Sequence, residues 1–228
     1  FTSTSDVDPI HTNSLPSRYQ ANLSAESVHR IGLTSFKDWV KDKTSDLQVL
    51  DAGSGSGLMT VILGLHLADN KRWGSTVVGL DAQEQYITSA AAKFSTLELE
   101  DYTLEKTSES FSLQQLGNKL AIRLEHGNIF NATPSYDFIH LGFKVYSQFT
   151  INGEGEEASQ TISLDLTLTG EGKPNQWTWI VNQLLKEGGM LAGPLALPDG
   201  KVWWCTQQKG GDIVKGAAVR YQPALPLS

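Results

Sequence analysis

Val49-Leu50-Asp51-Ala52-Gly53-Ser54-Gly55-Ser56-Gly57 decides the fold. Val49, Leu50 and Ala52 follow a polar turn and predict a short strand over 48–52. The stretch after the glycines, 58–67, is apolar on every side and predicts a buried helix. Between the two, Gly53, Gly55 and Gly57 recur at every second position. Without a Cβ the backbone there can turn sharply and approach a ligand closely. The N–H groups that open the helix then face that ligand. Two cofactor classes use such a turn. Dinucleotide sites want G-x-G-x-x-G, with the helix end bared to a pyrophosphate. Here the third glycine comes one residue early, and Asp51 stands two residues before the first. A carboxylate at that point repels a pyrophosphate and suits a cationic amino-acid head group, which favours S-adenosylmethionine over NAD. The bland alternative is a plain tight turn.

Working outward, strand-like and helix-like stretches alternate, which predicts an α/β fold with a largely parallel sheet. Further strands are expected over 76–80, 120–124, 138–141, 190–194, 201–207 and 217–221, and further helices from Ser24, over 83–94 and over 177–185. Gly188-Gly189 are read as the left-handed end of the last helix. Residues 1–23, rich in Ser, Thr, Asn and Pro, read as an extended arm, and the polar 96–118 as a surface segment of moderate helicity. The stretch 143–169 breaks the alternation. Phe143, Val145, Phe149 and Ile151 share one parity, as do Ile162, Leu164, Leu166 and Leu168, with a Gly- and Glu-rich turn between. Period-two alternation predicts an inserted β-hairpin. No repeat or interdomain linker is evident, so residues 1–228 read as a single domain.

Composition bounds the function. The chain has 228 residues, 39% of them apolar and 19% charged, which excludes disorder as the main state. The net charge of −7 excludes a basic surface over the whole chain and counts against nucleic acid as a partner. One cysteine, Cys205, excludes an internal disulfide framework and a CxxC metal site. No apolar run is long enough to span a membrane. The chain begins at Phe1, so a processed or cut product is expected, with any targeting segment lying before it.

Two weaker signals accompany the glycines. Asp81 ends the second strand, thirty residues after Asp51, where an acidic side chain can accept both hydroxyls of a ribose. Gly127-Asn128 follows the third strand, and an amide there offers donor and acceptor to an adenine edge. Alone, Gly-Asn is equally a turn.

These residues together resemble the class I S-adenosylmethionine-dependent methyltransferases, and more narrowly the protein-L-isoaspartate O-methyltransferases. Leu50-Asp51-Ala52-Gly53-Ser54-Gly55-Ser56-Gly57 is similar to the LDVGSGSG of that family. Tyr136-Asp137-Phe138-Ile139-His140-Leu141-Gly142 is similar to its YDxIHVG, and Leu184-Leu185-Lys186-Glu187-Gly188-Gly189-Met190-Leu191 to its LLKPGGRL. Ala21-Asn22-Leu23-Ser24-Ala25-Glu26-Ser27-Val28-His29 resembles the segment the family places before its first core helix. The glycine motif marks the superfamily only; the Ser24/His29 segment and Ile139-His140-Leu141-Gly142 mark the narrower branch.

The resemblance implies a Rossmann-like sheet of seven mostly parallel strands with helices on both faces. It implies S-adenosyl-L-methionine as cofactor and the free carboxylate of an L-isoaspartyl residue in a damaged protein as methyl acceptor. Ser24 would lie beside the transferred methyl and the substrate carboxylate, and His29 at the amino-acid end of the cofactor. Asp51, Gly53, Ser54, Gly55 and Gly57 would cradle methionine and ribose. Asp81, with Ala82 beside it, would take the ribose hydroxyls, and Gly127 and Asn128 the adenine. No metal is implied. The compartment implied is intracellular, either the cytoplasm or an organelle such as the mitochondrion if a targeting segment was removed.

The chain departs from the family at several points. Glu26 replaces a proline, Arg18 a glycine, and Phe143-Lys144-Val145 a small Ala-Ala run on the substrate side. Two readings therefore stand: an active isoaspartyl methyltransferase of protein repair, and a weakly active or inactive methyltransferase-like subunit. In the second, the 143–169 insertion would dock to a larger assembly.

Overall fold

The computed structural model describes residues 28–108, 110–146, 176–196 and 201–219. The expected arm 1–23, Ser24 and most of the 143–169 hairpin lie outside the described residues. Helix α1 (Val28–Val40) leads into β1 (Gln48–Ala52), α2 (Leu58–Asp69), β2 (Thr76–Asp81) and α3 (Glu84–Phe94). Then come β3 (Thr103–Lys106), β4 (Phe111–Gln115), β5 (Asn118–His126), a short 3-10 turn at Ile129–Asn131, β6 (Tyr136–Leu141) and β7 (Val145–Tyr146). Helix α4 (Gln176–Leu184), β8 (Leu185–Ala196), β9 (Val202–Gln208) and β10 (Val214–Ala218) complete the order.

All ten strands of the described residues join one sheet, in the order β10-β9-β8-β6-β1-β2-β5-β4-β3, with β7 pairing beside β8. Strands β8, β6, β1, β2 and β5 run parallel to their neighbours, and β9, β10, β4 and β3 extend the two edges antiparallel. The seven expected strands are present, β3 and β4 are additional among the described residues, and β7, which falls in the first strand of the expected 143–169 hairpin, pairs parallel with β8. Alternate residues of the central strands feed two cores. Val49, Val77 and Phe138 meet α1 and α2 on one face; Leu50, Val78 and Ile139 meet Trp177, Ile180 and Leu184 of α4 on the other. Helix α2 has ten of its twelve residues buried, as its unbroken apolar sequence requires.

Two expectations are corrected. Residues 96–118 are not helical. They form the β3–β4 hairpin and the turn into β5, and Leu104, Phe111 and Leu113 join the core over α2. Their alternation is short and broken by polar residues, so a helical reading and a strand reading fit the sequence equally. Gly188-Gly189 does not end a helix either. Helix α4 stops at Leu184, and β8 begins at once with an irregularity facing Asp137. Gly188 is left-handed (φ 77°), and a Cβ on Gly189 would stand 3.0 Å from the Asp137 carbonyl oxygen. The glycines therefore serve a bulge, the other position that needs a left-handed residue. The last strand also lies a few residues earlier than the expected 217–221.

Candidate functional site

The glycine turn stands at the carboxyl ends of β1 and β2. Gly53, Gly55 and Gly57 all have positive φ, at 75°, 51° and 83°, a conformation that costs a side-chain-bearing residue strain and glycine almost none. Gly53 N–H and Ser54 N–H both donate to the Leu80 carbonyl, at 2.7 and 3.0 Å. Gly57 caps α2 without any side-chain hydrogen bond, so the first N–H groups of the helix meet the loop. A Cβ on Gly57 would stand 2.6 Å from the Phe94 ring, which seats the end of α3 against the loop. Ser54 is 5% exposed, and its hydroxyl has no hydrogen-bond partner among the described residues. A buried hydroxyl left unpaired is costly, and is found where another group completes it.

Asp81 shapes the turn from the neighbouring strand. One carboxylate oxygen accepts from Gly55 N–H and the other from Gln83 N–H, both at 2.9 Å. Two acceptor positions per oxygen leave the carboxylate able to take further donors. Ala82 is exposed beside it, and its carbonyl lies 3.1 Å from His126 Nε2. Gly127 N–H donates to the Asp81 carbonyl at 2.9 Å, which brings the β5 end alongside. Asn128 is exposed, and its side-chain oxygen caps the 3-10 turn by accepting from Phe130 N–H at 2.9 Å. The turn role of Gly-Asn is thus real, and its position beside Asp81 is compatible with the ligand role as well.

Asp51 is 1% exposed and held from two sides. Thr60 of α2 donates its hydroxyl to one oxygen at 2.7 Å, and His140 Nδ1 lies 3.1 Å from the other. His140 is Asp51's register partner on β6 and is fully buried. An ionised Asp51 requires the proton on Nδ1. His140 Nε2 has no hydrogen-bond partner among the described residues and faces Gly32 of α1. The far side of the ring meets Trp204, with centroids 5.5 Å apart, and Trp204 Nε1 donates to Ser35 of α1 at 2.9 Å. Asp51 therefore ties β1, α2 and β6 together, and His140 seats the first helix. His29 is buried near the start of that helix. Neither Thr60 nor His140 is among the residues the sequence singles out for the site; the pairing of β6 with β1 and the packing of α2 reveal both.

The structure thus brings Asp51, Gly53, Ser54, Gly55, Gly57, Asp81, Ala82, Gly127 and Asn128 to one end of the sheet. No cluster of three or more metal-ligating side chains occurs among the described residues. None of their helices is long and apolar enough to cross a membrane. Cys205 is buried in β9, and burial pushes its thiol up to about 11, which makes it inert near neutral pH.

No protein-family model and no curated protein sequence matches the chain. Solved structures do. A Plasmodium falciparum protein described as a protein-L-isoaspartate O-methyltransferase, in complex with S-adenosyl-L-homocysteine, superposes with a TM-score of 0.51 at 16% identity. That match covers 89% of this chain and 73% of that one. The plantazolicin methyltransferase BpumL gives 0.37 at 14% identity, covering 72% of this chain and 44% of that one. The Bacillus subtilis YcgJ protein gives 0.39 at 14% identity, covering 74% and 51%. The chain spans about half the length of these last two. The chain has the fold of the class I methyltransferases, with the glycine turn, Asp51 and Asp81 at the carboxyl end of the central strands.

Proposed function

We propose that the chain binds S-adenosyl-L-methionine at this turn and transfers its methyl group to the free carboxylate of L-isoaspartyl residues in proteins. The observation that carries the cofactor reading is the buried Ser54 hydroxyl, unpaired among the described residues, inside a loop of three left-handed glycines. It offers a polar group to a ligand that comes close to bare backbone. Asp81 would accept the ribose hydroxyls through its remaining lone pairs, with Ala82 beside it. Gly53, Ser54, Gly55 and Gly57 would line the amino-acid and ribose portion, with Asp51 fixing their base. Gly127 and Asn128 would bound the adenine, Ser24 would lie beside the transferred methyl, and His29 at the amino-acid end of the cofactor.

The bound cofactor supplies an electrophilic methyl on a sulfonium. The chain's own contribution is alignment. A carboxylate acceptor is already ionised near neutral pH, its reference pKa being about 4 or lower, so no general base is required. In-line displacement calls for orientation and the exclusion of water. Asp51 and His140 are both buried, with Asp51 held by Thr60 and His140, which fits a role for this pair in positioning the turn. The substrate reading rests on the Ser24/His29 and Ile139-His140-Leu141-Gly142 resemblance, alongside a fold shared with the Plasmodium protein.

The test incubates the protein with methyl-labelled S-adenosylmethionine and a peptide carrying isoaspartate, with its aspartyl twin as control. Label on the isoaspartyl peptide alone is the expected result. Cofactor binding with no transfer to either peptide would overturn the repair reading. A second reading, a methyltransferase-like subunit within a larger assembly, is favoured by one observation. The Phe143 ring covers Gly53, and a Cβ there would stand 2.5 Å from it. An aromatic ring at that point narrows the space for a peptide acceptor.

A further inference from the structure

The peptide group between Ala82 and Gln83 is held at both ends. Its N–H, which belongs to Gln83, donates to one oxygen of the Asp81 carboxylate at 2.9 Å. Its carbonyl, which belongs to Ala82, lies 3.1 Å from His126 Nε2. A carbonyl oxygen only accepts, so Nε2 carries the proton and donates. His126 arrives there by register, because it is the residue of β5 that pairs with Asp81 on β2. The next residue, Gly127, gives its N–H to the Asp81 carbonyl at 2.9 Å. The end of β5 therefore grips two successive carbonyls, those of Asp81 and Ala82. His126 is exposed, so core packing gives no reason for a histidine at this position.

We infer that His126 is a positioning residue for the Asp81 carboxylate, acting through the Ala82–Gln83 peptide plane. The inference deepens the methyl-donor reading given above and rests on it, since Asp81 is there the acceptor for the ribose hydroxyls. A peptide unit is planar, and in the trans form its C=O and N–H point in opposite directions. Turning the plane away from the imidazole would also turn the Gln83 N–H away from Asp81. Hydrogen bonds in series polarise one another, so a donor on the carbonyl makes the N–H across the plane a stronger donor. The second oxygen of Asp81 is set separately, by Gly55 N–H at 2.9 Å. With a backbone donor on each oxygen, the carboxylate is held in one orientation, which suits the paired hydroxyls of a rigid ring. Without the imidazole the plane is tied at one end only, and the carboxylate it braces can rock.

The test compares wild type, His126→Ala and His126→Gln as the full chain. Calorimetry gives the affinity for S-adenosylhomocysteine and for its analogue lacking both ribose hydroxyls. Nuclear magnetic resonance of isotope-labelled protein, without ligand, reads the Gln83 amide and the His126 ring, and thermal melting confirms folding. His126→Ala is expected to weaken S-adenosylhomocysteine roughly 3- to 10-fold, the worth of about one hydrogen bond, and to leave the analogue within about twofold of wild type. The Gln83 amide proton should move upfield, and the wild-type ring should carry its proton on Nε2. His126→Gln, whose amide nitrogen stands in for Nε2, should restore both readouts. Equal weakening of the two ligands would overturn the inference, because a general loosening of the site produces that result, and would leave the cofactor reading intact. A Gln83 amide unmoved by His126→Ala would overturn it too, as would a His126→Ala protein that no longer melts cooperatively, since the ring would then hold the fold itself. Failure of wild type to bind either ligand would refute the cofactor reading, and with it the inference.

Discussion

Gly32→Ala places a methyl group where α1 meets the buried His140. Its Cβ would lie 2.5 Å from His140 Cδ2, closer still to Nε2, and 3.2 Å from Trp204 Cη2. Carbon atoms pack comfortably at about 3.5–4.0 Å, so the overlap is roughly 1 Å. The ring has nowhere to retreat, because Asp51 holds Nδ1 and Trp204 lies against it. Helix α1 must lift instead, and an overlap of this size takes the upper part of the usual overpacking range, about 2–3 kcal/mol. Alanine returns about 1 kcal/mol over glycine inside a helix. The net expectation is a loss of about 1–2 kcal/mol, or a melting temperature lower by roughly 2–8 °C for a chain of this size. In a His140→Ala background the ring is absent, and the same substitution should stabilise by up to about 1 kcal/mol. Urea denaturation of the two single variants and the double closes the cycle, with an expected coupling of about 2–3 kcal/mol. A Gly32→Ala protein as stable as wild type, or one equally destabilised in both backgrounds, would refute the assignment of His140 as the seat of α1.

Three further outcomes follow from the geometry. Asp81→Asn leaves only one acceptor for the N–H groups of Gly55 and Gln83; it should lower stability by about 1–3 kcal/mol and weaken cofactor binding, read by melting and calorimetry. Burial, helped by Lys37, pulls His66 down to about 4, so the unfolded chain takes a proton between pH 6.5 and 4 that the folded chain refuses. Stability should therefore fall as pH drops through that window, by up to roughly 3 kcal/mol, and denaturation of His66→Gln across pH should show a flatter profile. Cys205 should resist iodoacetamide at neutral pH in the folded protein and react fully in urea; rapid labelling without denaturant would contradict its burial.

The parallel centre of the fold was legible because β1, β2 and β6 are mostly apolar and bounded by turn residues, while β5 alternates buried and exposed positions. The glycine turn announced itself through residues that only a left-handed backbone needs. The two misreadings share a cause. Both 96–118 and Gly188-Gly189 depend on partners distant in sequence: the hairpin on the core over α2, the bulge on Asp137 across the sheet. Local pattern carries no information about such partners. The candidate site divides the same way. Asp51 and Asp81 could be placed from strand ends, whereas the roles of Thr60 and His140 emerge only when β6 is set beside β1.

The β3–β4 hairpin bears on how small such a domain can be made. Its polar, acidic sequence invites deletion as an ornament, yet Leu104, Phe111 and Leu113 form part of the sheath around α2, and Phe111 meets Phe94 edge-on at 5.2 Å. Phe94 in turn abuts Gly57, the residue that starts α2. Trimming residues 96–118 would strip apolar cover from the central helix and loosen the wedge behind the glycine turn. A shortened variant should thus lose its ligand before it loses its fold, which makes this outlying edge of the sheet a remote determinant of the site's precision.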